Sequence, residues 1–165
     1  MKPLINLSMI VKDEAHTIVR TLESCEGAVD TFTIADTGST DDTLEAIRNW
    51  RSAGRCGDMQ CLDGRVPDKV VFEDFADFAT TRNRALELGG HVHDEEPRWQ
   101  LVLSADEALR FDDRERGADA FRVFLENYAG PETCFLIEVR TETDASLQPR
   151  IVKTGSPWRF EGVVH

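Results

Sequence analysis

Two stretches of this chain end an apolar run in acid. Trp99-Gln-Leu-Val-Leu-Ser-Ala-Asp-Glu107 carries an apolar segment into an Asp-Glu pair with only small residues before it. Thr31-Phe-Thr-Ile-Ala-Asp36 repeats the pattern and runs on into Thr37-Gly-Ser-Thr-Asp-Asp-Thr43. Carboxylates at the carboxyl end of a strand sit where open α/β sheets bind ligands. Hard cations such as Mg²⁺ prefer such oxygens and commonly bridge to a substrate phosphate. Two acid-tipped strands point to a metal-assisted nucleotide site.

The single residues leave alternatives open. Asp36 can accept from a base N–H or a ribose hydroxyl, as acids do in dinucleotide folds, or it can cap backbone amides of its own turn. Ser39, Thr40 and Asp41 read as helix caps, and Gly38 as the residue that permits a tight turn. No Gly-Lys-Ser/Thr follows that glycine, so the loop is not a P-loop. Asp106 is the metal candidate, with Glu107 beside it pointing elsewhere. Arg82 follows Phe78 by four residues and Phe75 by seven. This spacing predicts one helical face with Arg82 at its edge, free to meet a phosphate or carboxylate or simply to sit at the surface. His165 becomes a metal ligand only if the chain end returns to the cleft, while His16, His91 and His93 read as surface residues.

These residues need elements to hold them. Apolar spacing predicts strands over Leu4–Val11, Thr31–Ala35, Lys69–Phe72, Trp99–Leu103, Thr133–Val139 and Leu147–Val152. Helices are predicted over Glu14–Ala28, from an N-cap at Thr40 or Asp41 through Trp50, over Phe75–Leu88 and over Arg114–Tyr128. Gly89-Gly90 reads as a C-terminal stop, and Ala118, Phe121, Phe124 and Leu125 as an inward face. Residues 52–68 read as a loop. Alternating strands and helices followed by paired strands imply a mainly parallel sheet covered by helices, with its cleft at the strands' carboxyl ends. Asp13, Glu14, Asp36 and Asp106 all fall there.

Composition sets bounds. The 165 residues suit one domain able to bury about 70% of its unfolded surface, and 41% hydrophobic content supports a core. With 31 acids against 19 bases the formal net charge is -12, which argues against a nucleic-acid partner because polyanion binding needs a basic face. Cys25, Cys56, Cys61 and Cys134 form no CxxC pair. No signal peptide or apolar run of membrane-spanning length is visible, so a cytoplasmic protein with free thiols is expected.

Five segments in order resemble family 2 glycosyltransferases of the GT-A fold. Met9-Ile-Val-Lys-Asp-Glu14 is similar to that family's opening strand and base-binding loop, and residues 29–43 to its "vDtgStDgT" segment. Phe75–Ala85 resembles "F..ArN.al", Leu101–Glu107 resembles "lDADE", and Phe160-Glu-Gly-Val-Val-His165 resembles "G.vHE". The resemblance spans nearly the whole chain. It implies a single GT-A domain over residues 1–165: a Rossmann-like three-layer α/β sandwich with a mainly parallel sheet and helices on both faces. It also implies transfer of a sugar from a UDP- or GDP-linked donor to an acceptor hydroxyl of unknown identity, and it favours inversion.

By that resemblance Val11, Glu14, Asp36, Arg82, Ser104 and Asp106 line the nucleotide-sugar pocket. Asp106 and His165 would hold Mg²⁺ or Mn²⁺, which neutralises the departing nucleoside diphosphate. Glu107, Glu142 and Asp144 are the carboxylates available to deprotonate the acceptor, with Glu107 and Asp144 carried forward. Two departures stand out. Ser104 replaces the first acid of the family's Asp-x-Asp motif and lends no charge. The chain stops at the histidine, as a domain excised from a longer enzyme or a minimal donor-binding domain would. A nonenzymatic nucleotide-sugar-binding domain is the alternative. A flavodoxin-like module is suggested only by the Thr-Gly-Ser-Thr loop, which follows the second strand rather than the first.

Overall fold

A computed structural model describes residues 3–53, 69–72, 75–90, 96–113 and 115–162. In chain order the elements are β1 (Ile5–Val11), α1 (Ile18–Ser24), β2 (Thr31–Asp36), α2 (Thr43–Ser52), β3 (Lys69–Phe72), α3 (Phe78–Gly90), β4 (Trp99–Val102), α4 (Gly117–Asn127), β5 (Cys134–Arg140) and β6 (Ala145–Lys153). The six strands form one sheet in the order β3-β2-β1-β4-β6-β5. β3, β2, β1 and β4 run parallel, and β6 and β5 close the sheet antiparallel. The expected mainly parallel α/β sheet with helices on both faces is what forms.

Strand alternation sorts the two faces. Ile5, Leu7, Met9, Phe32, Ile34, Trp99 and Leu101 supply one face, and all are buried. α1, α2 and α4 pack there through Ile18, Leu22, Ile47, Trp50 and Leu125. Phe32 meets Trp50 edge-on at 5.8 Å between centroids, and the Trp99 indole N–H donates to the Leu125 carbonyl at 3.2 Å. The opposite face offers small polar side chains, Asn6, Thr31, Thr33 and Gln100, also buried. It is covered by α3, whose Leu86 carbonyl accepts from Gln100 Nε2 at 2.8 Å.

Several predicted boundaries move. α1 begins at Ile18 rather than Glu14, because residues 12–17 are spent on a loop. α2 begins at Thr43: Asp42 takes the N-cap position without a side-chain bond, and Asp41 Oδ1 instead accepts from the Thr43 N–H at 3.0 Å. α3 begins at Phe78, three residues late, where Asp77 Oδ1 accepts the Thr80 N–H at 2.8 Å. Phe75 therefore lies off the helix, 5.1 Å from the Phe78 ring, and Arg82 does not share a helical face with it.

α3 ends at Gly90, with Gly89 and Gly90 as its last two residues. A Cβ on Gly89 would stand 2.4 Å from Gln100 Oε1 and 2.6 Å from Asn6 Nδ2, so the missing side chain is what lets α3 approach the sheet. On α4, Leu125 is buried and Phe121 partly so, but Phe124 is 50% exposed. Phe124 packs its ring edge against Phe135 of β5 at 5.4 Å instead of entering the core.

Candidate functional site

The strand order reverses between β1 and β4, since β1 leads to β2 on one side and pairs with β4 on the other. A crevice opens at such a switch point, beyond the carboxyl ends of the strands. Three loops surround it here: residues 12–17 after β1, 37–42 after β2 and 103–107 after β4.

The first two loops are laced together. Asp13 takes a left-handed φ of 54°, which turns its carboxylate across the gap. Asp13 Oδ1 accepts from the Thr40 N–H at 2.7 Å, and its own N–H donates to Ser39 Oγ at 3.0 Å. Asp41 returns the bond by accepting from the Ala15 N–H at 3.1 Å, while the Glu14 N–H donates to Thr43 Oγ1 at 2.8 Å. The hydrogen bonds from Thr43 pull the Asp41 carboxyl below its ordinary range. A loop pair bonded this way is set before any ligand arrives.

Asp36 sits at the base of this pair, 1% exposed. Its Oδ2 accepts from the N–H groups of Gly38 and Ser39, both at 3.1 Å, and its Oδ1 accepts from the Ser39 hydroxyl. Of the two roles open to Asp36, capping its own turn is the one it performs in the structure. Val11 is buried, and its carbonyl accepts from both the amide and the hydroxyl of Thr37 at 3.0 Å. Glu14 Oε2 accepts from Thr17 Oγ1 at 2.6 Å.

The third loop is a closed turn. The Glu107 N–H donates to the Ser104 carbonyl at 3.1 Å, and Glu107 Oε2 accepts from the Ser104 N–H at 2.8 Å. α1 fixes the tip from outside: Thr21 Oγ1 donates to the Ala105 carbonyl at 2.6 Å and Arg20 Nη2 to the Asp106 carbonyl at 2.7 Å. Arg150 of β6, 5% exposed, holds the far oxygen of Glu107 in an ion pair. Everything about Asp106 is fixed except its side chain. Its carboxylate is exposed and takes no hydrogen bond or ion pair among the described residues.

Arg82 supplies the facing cation. Its Nη2 donates to Ser104 Oγ at 3.1 Å, and its guanidinium lies 5.4 Å from the Phe160 ring centroid. Phe160 is held in place by Asn83, which exchanges two hydrogen bonds of 2.8 Å with its backbone. Burial pulls the Arg82 pKa down and the charge of Arg150 adds to the push, with Glu107 and Asp106 opposing. Two guanidiniums and two carboxylates thus share the β4 side of the crevice.

The two expected catalytic carboxylates are placed differently. Glu107 is inside the cluster, with both oxygens engaged. Asp144 is in the β5–β6 turn, exposed, with its Oδ1 accepting from the Ala145 N–H at 2.8 Å. β6 runs antiparallel to β4, with Leu101 opposite Ile151. Among the described residues no hydrogen bond or ion pair joins Asp144 to Asp106 or Glu107. His165 lies outside the described residues, as do Cys56, Cys61, His91 and His93, whereas His16 is exposed as expected.

Among the described residues no three His, Cys, Asp or Glu side chains converge as a protein-built metal cage. The donor set still fits a hard cation of the kind held by one carboxylate plus a ligand's own phosphates and water. Asp106 is the carboxylate left available for that role, because Ser104 is engaged by Arg82 and Glu107 by Arg150. Sequence reasoning missed Arg150, although a charged residue directly before the apolar pair Ile151-Val152 of a predicted strand was the available signal.

No known protein family's profile matches the chain. Over 98% of its length it is 30% identical to a TPR repeat-containing protein of Synechococcus elongatus, of which it spans 34%. Among solved structures it is similar to residues 1–349 of S. aureus TarS, also crystallised with UDP, with a TM-score of 0.54 and 18% identity. That match covers 92% of this chain and 47% of TarS 1–349. It is also similar to the mannosyltransferase PcManGT of Pyrobaculum calidifontis in complex with GDP-Man and Mn²⁺. There the TM-score is 0.51 at 19% identity, covering 82% of this chain and 35% of that one. These likenesses show a shared fold, a mainly parallel α/β sheet found in a sugar transferase. The chain spans about a third of the curated relative and under half of the structures it matches. Among the described residues no helix is long and apolar enough to cross a membrane.

Proposed function

We propose that this domain belongs to a family 2-like, GT-A glycosyltransferase that moves a sugar from a nucleoside-diphosphate donor to an acceptor hydroxyl. The observation that carries the reading is Asp106. A turn fixed by Ser104, Glu107, Arg150, Arg20 and Thr21 presents one uncommitted carboxylate at a topological switch point. The fold shared with PcManGT, whose structure holds GDP-Man and Mn²⁺, supports the donor class.

On this reading the base and ribose lie against the preset loops of Val11, Glu14 and Asp36, and the diphosphate reaches down between Arg82 and Asp106. Mg²⁺ or Mn²⁺ held by Asp106 and the donor's phosphates would neutralise charge on the leaving group. Arg82 adds a second positive charge there, in a half-buried position where it is worth more than in water. The acceptor oxygen attacks the anomeric carbon as the bond to the diphosphate breaks, and the bonding pair leaves with the phosphate. Attack from the opposite face inverts the centre, and a base takes the hydroxyl proton. We assign Glu107 to positioning rather than to that proton, because Arg150 and the Ser104 N–H already occupy one lone pair on each oxygen.

A second reading, a domain that binds nucleotide sugars without transfer, is favoured by Ser104, which serves Arg82 and brings no charge. A donor-hydrolysis assay over UDP- and GDP-linked sugars with Mn²⁺ separates the two. Slow release of free sugar supports the transferase; nucleotide-sugar binding with no turnover, even with acceptor libraries, supports the binding domain.

A further inference from the structure

Away from the crevice, a cavity of about 450 Å³ opens between α3, the β4–β6 pair and residues 153–159. It lies towards the amino end of β4, where Gln100 pairs with Val152, and so at the opposite end of the strand from Asp106. Its volume is within the range of small-molecule sites.

The lining is polar but electrically balanced. Glu87 and Glu96 contribute two negative charges, Lys153 and Arg159 two positive ones. Trp158, Leu86 and Val152 give it an apolar wall. Between these charges and that wall come neutral hydrogen-bonding groups, and these are incompletely used. Among the described residues the hydroxyls of Thr154 and Ser156 are buried without a partner, and so is Gln100 Oε1 nearby. The turn does not need the two hydroxyls. Its backbone is satisfied on its own, with the Thr154 N–H donating to Arg98 O at 3.1 Å and the Ser156 N–H to Lys153 O at 3.2 Å. An unpaired buried hydroxyl costs free energy, and rotation about χ1 is the cheap way to re-aim it.

We infer that this cavity binds a neutral saccharide. A sugar presents hydroxyls that both donate and accept around its edge and C–H groups on its faces, matching a lining that holds both Thr154 and Ser156 and the Trp158 ring. Balanced charge gives no advantage to a phosphate. The site is separate from the donor crevice but linked to it through the chain: Trp158 packs edge-on against Phe160 at 4.7 Å, and Phe160 lies beneath Arg82.

The test is titration of glucose, mannose, N-acetylglucosamine and mannose 6-phosphate onto the isotope-labelled chain, read by amide and indole NMR shifts. One neutral sugar should shift the Trp158 indole and Gly155 signals with a dissociation constant on the order of millimolar. The double variant Thr154→Val/Ser156→Ala, which keeps the side-chain shapes, should weaken binding by about tenfold or more. Trp158→Ala should do the same. Asp106→Ala should leave the affinity within about twofold, since Asp106 lies beyond the other end of β4 and is not among the residues that line the cavity. Failure of every sugar to shift Trp158, wild-type affinity in the double variant, or tighter binding of mannose 6-phosphate than of mannose would overturn the inference. The cavity signals do not depend on nucleotide binding, so they stand or fall separately from the transferase reading.

Discussion

Arg150 and Glu107 form an ion pair beneath the turn that carries Asp106, with side chains only 6% and 22% exposed. The pair joins β6 to the β4 loop across the sheet, and the second Glu107 oxygen closes the turn on the Ser104 N–H. The turn is therefore set by a contact remote in sequence, and the exposed Asp106 carboxylate inherits a fixed position.

Breaking that pair should cost more than its solvent-exposed counterparts. Arg150→Met leaves Glu107 half-buried without its partner. The expected loss is about 2–3 kcal/mol, below the value for fully buried pairs because Glu107 meets some water. Urea denaturation measures it. Arg140→Met, which breaks the exposed pair with Glu138, should change stability by under about 1 kcal/mol. Equal losses in the two variants would contradict the clamp.

Asp36 should behave as a loop anchor. Asp36→Ala removes the acceptor of the Gly38 and Ser39 amides and of the Ser39 hydroxyl, and losing these bonds should cost about 1–3 kcal/mol in all. Asp36→Asn keeps one oxygen and should lose less. Stability indistinguishable from wild type in Asp36→Ala would show that the turn does not depend on it.

Gly89 gives a stereochemical prediction. Gly89→Ala adds one methyl group against the buried ends of Gln100 and Asn6, and overpacking of this kind costs about 1–3 kcal/mol. Gly→Ala inside an ordinary exposed helix stabilises instead. A rise in Tm would mean that α3 stands farther from the sheet than described.

Cys25 should be silent chemically. Burial pushes its thiol from an ordinary 9.0 up to about 12, against a small opposing effect of Ser24. The thiol is the favoured form in the folded chain, so this contribution to stability is constant below about pH 9 and falls as pH rises from there towards 12. Alkylation at pH 8, mapped by mass spectrometry, should leave Cys25 unmodified until the chain is denatured. Ready labelling of native protein would contradict its burial.

How far the sequence disclosed this can be traced residue by residue. The strands β1, β2 and β4 were legible because their apolar runs are bounded by turn residues, and the parallel order followed from alternation with helices. The Asp36 and Asp106 positions followed from strand ends. What stayed hidden depends on contacts between distant residues. Gly89 reads locally as part of a stop, and its second role, close approach to Asn6 and Gln100, has no local signature. Phe124 has inward helical spacing, yet it stays half exposed and rests against Phe135 of β5. Arg150 lies 43 residues from Glu107, and no local pattern announces such a pair.

The most direct measurement is calorimetric titration of UDP and GDP into wild-type protein and Asp106→Ala, each with and without Mn²⁺. Nucleotide binding strengthened by Mn²⁺ in the wild type, with that strengthening lost in Asp106→Ala while the fold is kept, is the expected result. A Mn²⁺ effect of the same size in both proteins would contradict the assignment of Asp106 to the metal-assisted donor site.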